Sequence, residues 1–435
     1  MTENNYPDYD STSYHLNVRG SKVLPNSGSR SSIQSSPYTL FLESGQGKQI
    51  VDVDGRQLLD FNNNFTSLIH GHCHPAIVEA AREQISKGSA FSFGSEIEIR
   101  LAELLCQRVK GFEQIRFMNS GTEAVMNGIK AARAYTGRAK IAKCENSYHG
   151  SYAAAETSLA VEPTDLSIQD PISKAYSAGT PQGVLDDVVI IPFNDVENSR
   201  RILDEQGPML AGILFDPFGA GMGRVAPSQA FINLLAEMRD THGLLLISDE
   251  VIAFRANYDG CMSQFNVPAD LTCLGKIIGG GFPVGAVAGS RDIMAVFEST
   301  DKKARLPHGG TFNANPVTMA AGYAAMEMMT PEEFQRINAL GQAFRGAITN
   351  VITQLNVQAN VLGQASVFAI DIVDPVAGSL PTGRGAMRQI EGIDAAFINA
   401  GYFLSPGLHG SLSTAMDEND IEPFCDTLKT ILQAL

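Results

Sequence analysis

The run Leu244-Leu-Leu-Ile247-Ser248-Asp249-Glu250-Val251 places four apolar residues ahead of a hydroxyl, two carboxylates and a valine. A short apolar run without polar alternation predicts a strand buried on both faces. A carboxylate at the end of such a strand has left bulk water and needs a partner. In open α/β sheets, that end of the strand is also where ligands bind. For Asp249 taken alone, a backbone or arginine partner and a cationic ligand are both open.

Downstream, Leu271-Thr-Cys-Leu274 reads as a second strand, followed by Gly275-Lys276-Ile-Ile-Gly279-Gly280-Gly281-Phe-Pro283. Glycines let a backbone approach a ligand closely. A lysine among apolar neighbours shifts readily to its neutral, nucleophilic form, which a Schiff base requires. Upstream, Gly212-Ile-Leu-Phe215, Val188-Val-Ile-Ile191 and Ile115-Arg-Phe-Met118 are further strands, and helical spacing covers 123–135 and 228–240. This alternation predicts an α/β fold with a mainly parallel sheet covered by helices on both faces. Residues 156–187 break the rhythm with Pro163, Pro171, Gly179, Pro181 and Gly183, and read as a long loop of the lid type.

Phe117-Met-Asn119-Ser120-Gly121-Thr122-Glu123-Ala124 joins the strand at 115–118 to the following helix. Hydroxyls, a glycine and free N–H groups at a helix start suit a phosphate, and equally describe an ordinary N-cap. Residues 1–36 are polar, and their first half reads as a poorly ordered arm. A hairpin is expected around Asp54-Gly55, with helices over 75–86 and 98–110. Beyond Thr311, helices at 316–329, 331–355, 384–400 and 421–435 and strands at 367–373 and 402–404 predict a smaller α+β unit. The expected division is 1–70 as an arm and a segment packing with the small domain, 71–315 as the large domain and 316–435 as the small one.

The apolar fraction of 44% excludes a wholly disordered chain. A net charge of -15 argues against nucleic acid or an anionic membrane surface as partner, because phosphates would be repelled. The cysteines form no CxxC pair, which argues against a disulfide framework or zinc site and for free thiols in a reducing cytosol. No signal-like stretch and no membrane-length apolar run is present, so a soluble, cytoplasmic protein is expected.

Taken together, Asn119–Ala124, Asp249-Glu250-Val251 and Leu274–Gly281 resemble the signature of class III aminotransferases, enzymes dependent on pyridoxal 5'-phosphate (PLP) with fold type I. Glutamate-1-semialdehyde 2,1-aminomutase and the β-amino-acid aminotransferases are the members it resembles most. The likeness runs from about residue 24 to the end. It implies a seven-stranded, mainly parallel sheet in a large domain, a smaller C-terminal α+β domain, and PLP as cofactor. Lys276 would carry the cofactor as a Schiff base and move the substrate proton. Asp249 would pair with the pyridinium nitrogen. Ser120, Gly121 and Thr122 would hold the phosphate, with Tyr148 and Val251 on the two faces of the ring. Thr311, in Gly310-Thr311-Phe-Asn-Ala-Asn-Pro316, would touch the partner's phosphate across a homodimer with shared active sites.

The same resemblance puts Arg30, in Pro25-Asn-Ser-Gly-Ser-Arg30, on a substrate carboxylate, and Phe65 where the aminomutases have a substrate-facing tryptophan. His149 would be a structural neighbour. His70, His72 and His74 would be structural too, with no metal. Three features depart from the pattern: Asp216-Pro217 replaces Glu-Pro, the stretch 405–414 is short and lacks both an acidic residue near 408 and an arginine near 406, and 156–187 does not match the aminomutase gating loop. The expected activity is ping-pong transfer of an amino group from a small-molecule donor, a β-amino acid or related compound, to a keto acceptor. The alternatives are an intramolecular aminomutase and a PLP-fold protein that binds without catalysis.

Overall fold

A computed structural model describes residues 5–33, 35–159, 169–219, 225–299, 303–372 and 392–434. Its strands are β1 (Leu42–Gln46), β2 (Gln49–Asp52), β3 (Gln57–Asp60), β4 (Gln114–Met118), β5 (Lys140–Cys144), β6 (Val188–Ile191), β7 (Leu210–Phe215), β8 (Leu245–Asp249), β9 (Leu271–Gly275), β10 (Gly285–Gly289), β11 (Ala359–Leu362), β12 (Val367–Ile372), β13 (Tyr402–Phe403) and β14 (His409–Ser411). Seven form the central sheet in the order β4-β10-β9-β8-β7-β5-β6. Only β10 runs against the others. This is the seven-stranded, mainly parallel sheet that the family resemblance implies, and β11, β12 and β14 form a smaller sheet.

Two strands of the central sheet escaped the sequence pattern, for opposite reasons. In β5 the alternation is masked by Lys140 and Lys143, yet Lys143 is wholly buried and its Nζ donates to the Thr157 carbonyl at 2.8 Å. In β10, Gly-Ala-Val-Ala-Gly has no bulk because its neighbours leave none: a Cβ at Gly285 would lie 2.0 Å from the Ser120 carbonyl oxygen. Close approach of backbones selects small residues, which carry little strand propensity.

The expected disorder of the N-terminal arm is corrected. Thr12–Gly20 is a helix, capped by the Ser11 side chain, and Tyr6 and Ser13 are buried. Asp54 of the β2–β3 turn accepts the N–H groups of Thr12 and Ser13 at 2.7 and 3.0 Å. Tyr6, Tyr9, Tyr14 and Tyr38 pack edge to face, with Tyr6 and Tyr38 centroids 5.0 Å apart. Tyrosines bury large apolar faces while keeping a polar handle, so a polar-looking segment gains enough to order.

The hairpin β2–β3 continues into the C-terminal part of the chain. β13 pairs in parallel with β3, Tyr402 opposite Leu59. Phe61 then enters the core there, 5.5 Å from the rings of Phe344 and Phe368 and 5.1 Å from Phe424. The helices Pro316–Met328 and Pro331–Leu355 start at the prolines expected of them, and the last helix spans Ile421–Gln433. Of the helix expected at 384–400, residues 384–391 lie outside the described residues and Ile393–Asn399 is helical. Residue 373 of the expected strand and residues 160–168 of the expected lid lie outside them as well; the described part of that loop holds a short helix, Gln182–Asp186. No helix among the described residues is long and apolar enough to cross a membrane.

Candidate active site

The strands β4, β8 and β9 share one direction, so their carboxyl ends open on the same edge of the sheet. Gly285 of β10 stands opposite both Met118 and Gly275. The Ser120 turn and Lys276 are thereby neighbours, and a Cβ at Gly275 would lie 3.5 Å from Gly121 Cα. Asp249 stands opposite Cys273 on the next strand. The three sequence motifs, spread over some 160 residues of chain, are brought together by the sheet.

Ser120 caps the helix Gly121–Thr136: its hydroxyl accepts the Glu123 N–H at 3.1 Å, while the Glu123 carboxylate takes the Asn119 N–H at 2.6 Å. The first N–H groups of a helix have no acceptor within it, and the positive end of the helix dipole sits there. Those of Gly121 and Thr122 form an anion seat at the strand ends. Gly121 leaves room for Val251: a Cβ here would lie 2.7 Å from Val251 Cγ1, so one of the two would have to shift. The cap leaves the Gly121 and Thr122 N–H groups facing the strand ends, so the two sequence readings are compatible.

Asp249 is buried, and its two oxygens are separately engaged. Oδ1 accepts the Val251 N–H at 3.1 Å, and Oδ2 lies 2.8 Å from His149 Nδ1. A carboxylate can only accept, so Nδ1 carries the proton. Burial holds the His149 pKa below its ordinary value, against the opposing pull of Asp249. A neutral His149 with its proton on Nδ1 leaves Nε2 as an acceptor, and that atom has no hydrogen-bond partner among the described residues. His149, expected as a structural neighbour, orients the candidate catalytic carboxylate through this hydrogen bond. Glu250 has another task. It is fully buried, accepts the N–H groups of Cys261 and Met262 at 2.7 and 3.2 Å, and is pushed up to about 7 by burial.

Lys276 follows β9 with a left-handed φ of 49° and is half-buried. Its Nζ donates to the Phe65 carbonyl at 2.8 Å. Phe65 belongs to four consecutive non-glycine residues in the left-handed region, Asn63 (φ 48°), Asn64 (47°), Phe65 (54°) and Thr66 (72°). Such residues cost roughly 1–2 kcal/mol each, so the surroundings must enforce the turn. On its outer side, Asn64 Oδ1 accepts from Arg30 Nη1 at 2.9 Å, and the Arg30 guanidinium lies 5.8 Å from the Phe65 ring centroid. Phe65 thus meets Lys276 through its carbonyl, and Arg30 meets the neighbouring Asn64 of the same turn. The asparagine triplet was the available signal for the turn, since asparagine tolerates this region better than most residues.

Tyr148 is half exposed on the segment after β5, next to His149. Thr311 is exposed at the surface, and nearby Asn313 accepts from Asn119 at 2.7 Å. Asp216 turns its shorter side chain onto its own loop, where Oδ1 accepts the Phe218 N–H at 2.8 Å. His70 bonds Thr414 and the Ala325 carbonyl, and His72 bonds Asp60. An anion seat, a buried carboxylate and a half-buried amine at one edge fit the phosphate, ring nitrogen and aldehyde of PLP.

Residues 31–397 match the family model for class III aminotransferase. Glutamate-1-semialdehyde 2,1-aminomutase 1 of Staphylococcus carnosus (strain TM300) is 33% identical over 387 residues, 88% of each chain. Among solved structures, an omega-transaminase from Sphaerobacter thermophilus is 44% identical and superposes with a TM-score of 0.93 over 98% of each chain. A beta-phenylalanine aminotransferase from Variovorax paradoxus is 28% identical, with a TM-score of 0.85 over 97% of this chain and 94% of that one. The chain belongs to the class III aminotransferases, and its cofactor is pyridoxal 5'-phosphate.

Proposed function

We propose that this enzyme moves an amino group between molecules, from a carboxylate-bearing donor of the β-amino-acid type to a keto acid, in a ping-pong cycle. The observation that carries this reading is the placement of Arg30 and Lys276 on either side of one turn, through Asn64 Oδ1 and the Phe65 carbonyl. A guanidinium on the same turn whose carbonyl meets the reactive amine offers a fork for a carboxylate. The similarity to an omega-transaminase and to a beta-phenylalanine aminotransferase supports transfer between molecules.

Bound PLP supplies an electron sink for the carbon that loses its proton. The rest is done by the chain. Lys276 attaches the cofactor and moves the proton. Asp249, held by His149, stabilises the positive charge of the ring nitrogen. Ser120, Gly121 and Thr122 hold the phosphate, and Tyr148 and Val251 flank the ring. Thr311 of a second copy completes the phosphate site in a homodimer. The aminomutase of Staphylococcus carnosus, one-third identical, favours a second reading, in which the amino group returns to the same molecule.

An amine-donor screen on the enzyme loaded with PLP separates them. Release of a free keto or aldehyde product, with retained pyridoxamine phosphate, is the expected result. An isomer formed with no second substrate supports the mutase instead. Borohydride should fix the cofactor to the peptide containing Lys276, and Lys276→Ala should abolish that adduct; a covalent adduct persisting in the variant overturns the assignment.

A further inference from the structure

The left-handed turn at 63–66 has a division of labour between its residues. Asn63 and Thr66 are buried, whereas Asn64 is exposed and Phe65 half-buried. The two accessible residues are those whose polar atoms meet Arg30 and Lys276. The buried framework does the holding. Asp60 Oδ1 accepts the N–H groups of Asn62 and Asn63 at 2.8 and 3.0 Å, while its Oδ2 is fixed by His72 at 2.7 Å. Asn62 Oδ1 accepts the Phe65 N–H at 2.7 Å, and the Asn62 carbonyl accepts the Thr66 N–H at 2.9 Å. From the other side, the wholly buried Arg255 donates to the Thr66 carbonyl at 3.0 Å, to Ser366 Oγ at 3.1 Å and to the Leu412 carbonyl.

A turn needed only to reverse the chain would relax with glycine at these positions. Here a strained conformation without any glycine is enforced by bonds from β3, from the segment after β8 and from the C-terminal part of the chain. Strain of this kind persists where the surroundings over-determine it. Its product is one carbonyl oxygen aimed at one amine.

We propose that the Asn62–Thr66 turn is a positioning device for Lys276, and that Asn62 is its key residue, fixing through the Phe65 N–H the carbonyl that receives the lysine amine whenever that amine is not bound to the cofactor. The role of the amine rests on the aminotransferase reading above; the device itself is a property of the chain. Asn62 touches neither substrate nor cofactor, so its effect passes through Phe65.

The test uses the full chain freed of cofactor. A limiting pulse of acetic anhydride acetylates accessible amines with release of acetate, and peptide mass mapping reads Lys276 against exposed Lys87. In Asn62→Ala, Lys276 should react at least about five-fold faster while Lys87 is unchanged. Asn62→Asp keeps an acceptor for the Phe65 N–H and should stay within about two-fold of the parent. In the loaded enzyme, Asn62→Ala should lose about ten-fold in kcat with KM changed less than about two-fold. Equal Lys276 acetylation in a folded Asn62→Ala protein and the parent overturns the proposal, as does equal acceleration in the Ala and Asp variants. Should Asn62→Ala not fold, Asn62→Leu, which has nearly the same shape and no acceptor for the Phe65 N–H, replaces it with the same expectation. Failure of borohydride to trap PLP on Lys276 in the parent would sink the aminotransferase reading and leave these acetylation outcomes intact.

Discussion

His149 and Asp249 form a buried pair at the carboxyl edge of the sheet, Nδ1 to Oδ2 at 2.8 Å, although 100 residues separate them in the chain. His149→Phe keeps most of the volume and removes the donor, leaving Asp249 Oδ2 without that hydrogen bond. The loss of one partner to a buried group costs about 1–3 kcal/mol, so PLP should dissociate about 10- to 100-fold more readily, measured by cofactor titration with the far-UV spectrum unchanged. The pH dependence follows from burial. The folded pKa of His149 is depressed, so as pH falls through 6.5 the unfolded chain takes up the proton first and stability declines. Above that pH the term is flat. Denaturant unfolding of His149→Phe should lack this share of the acid-side loss; an identical slope in both proteins would remove His149 from the account.

Gly121 and Val251 exclude each other's growth. A Cβ at 121 would lie 2.7 and 2.9 Å from the two Val251 methyls. Gly121→Ala should weaken PLP binding by about 1–3 kcal/mol through overpacking. Val251→Ala in the same molecule should recover at least half of that loss in a double-mutant cycle. Additive losses would show that the obstruction lies elsewhere.

Arg30 is exposed and held over Phe65 by Asn64. If it receives a substrate carboxylate, Arg30→Ala should raise KM for carboxylate-bearing donors by about 10- to 100-fold, the worth of about 1.5–3 kcal/mol for a charged hydrogen bond. Donors without a carboxylate should change less than about three-fold. A uniform loss across both sets would place Arg30 outside the substrate pocket.

Two buried groups away from the reacting atoms give the enzyme opposite pH slopes. Burial lowers Lys143 to about 7, against 10.5 unperturbed. Between those values the unfolded chain holds the extra proton, so stability rises with pH from about 7 to about 10.5. Burial raises Glu250 to about 7, against 4.5. Between those values the folded chain holds the extra proton, so the Glu250 contribution is complete below about 4.5 and lost as pH rises to about 7. Lys143→Met should flatten the alkaline rise, and Glu250→Gln the acid-side decline, each by a few kcal/mol at most. Urea midpoints across pH 4–10 measure both, and unchanged slopes would mean that solvent reaches these side chains.

The legible part of the fold was the part written in runs of neighbouring residues. Leu210–Phe215, Leu245–Asp249 and the helix Pro331–Leu355 announce themselves by uninterrupted apolar stretches or by 3.6-residue spacing after a proline. Strands β5 and β10 did not. A buried lysine looks polar in sequence, and a strand of glycine and alanine looks like a loop until the Ser120 carbonyl is seen against it. The N-terminal helix was hidden for a related reason: Tyr14 within it and Tyr6, Tyr9 and Tyr38 around it read as polar until they were found packed on one another.

By itself the sequence determined that strands end just ahead of Ser120 and Lys276 and beside Asp249, and therefore which chemistry the sheet edge could gather. Burial periodicity and end signals are local, and a parallel sheet aligns the ends of its strands whatever lies between them. Only the tertiary structure decided that His149 meets Asp249, and that the Phe65 carbonyl, 211 residues away in the chain, meets Lys276. Those meetings depend on side-chain direction and on a left-handed turn that local preference opposes, so only contacts from distant parts of the chain could fix them.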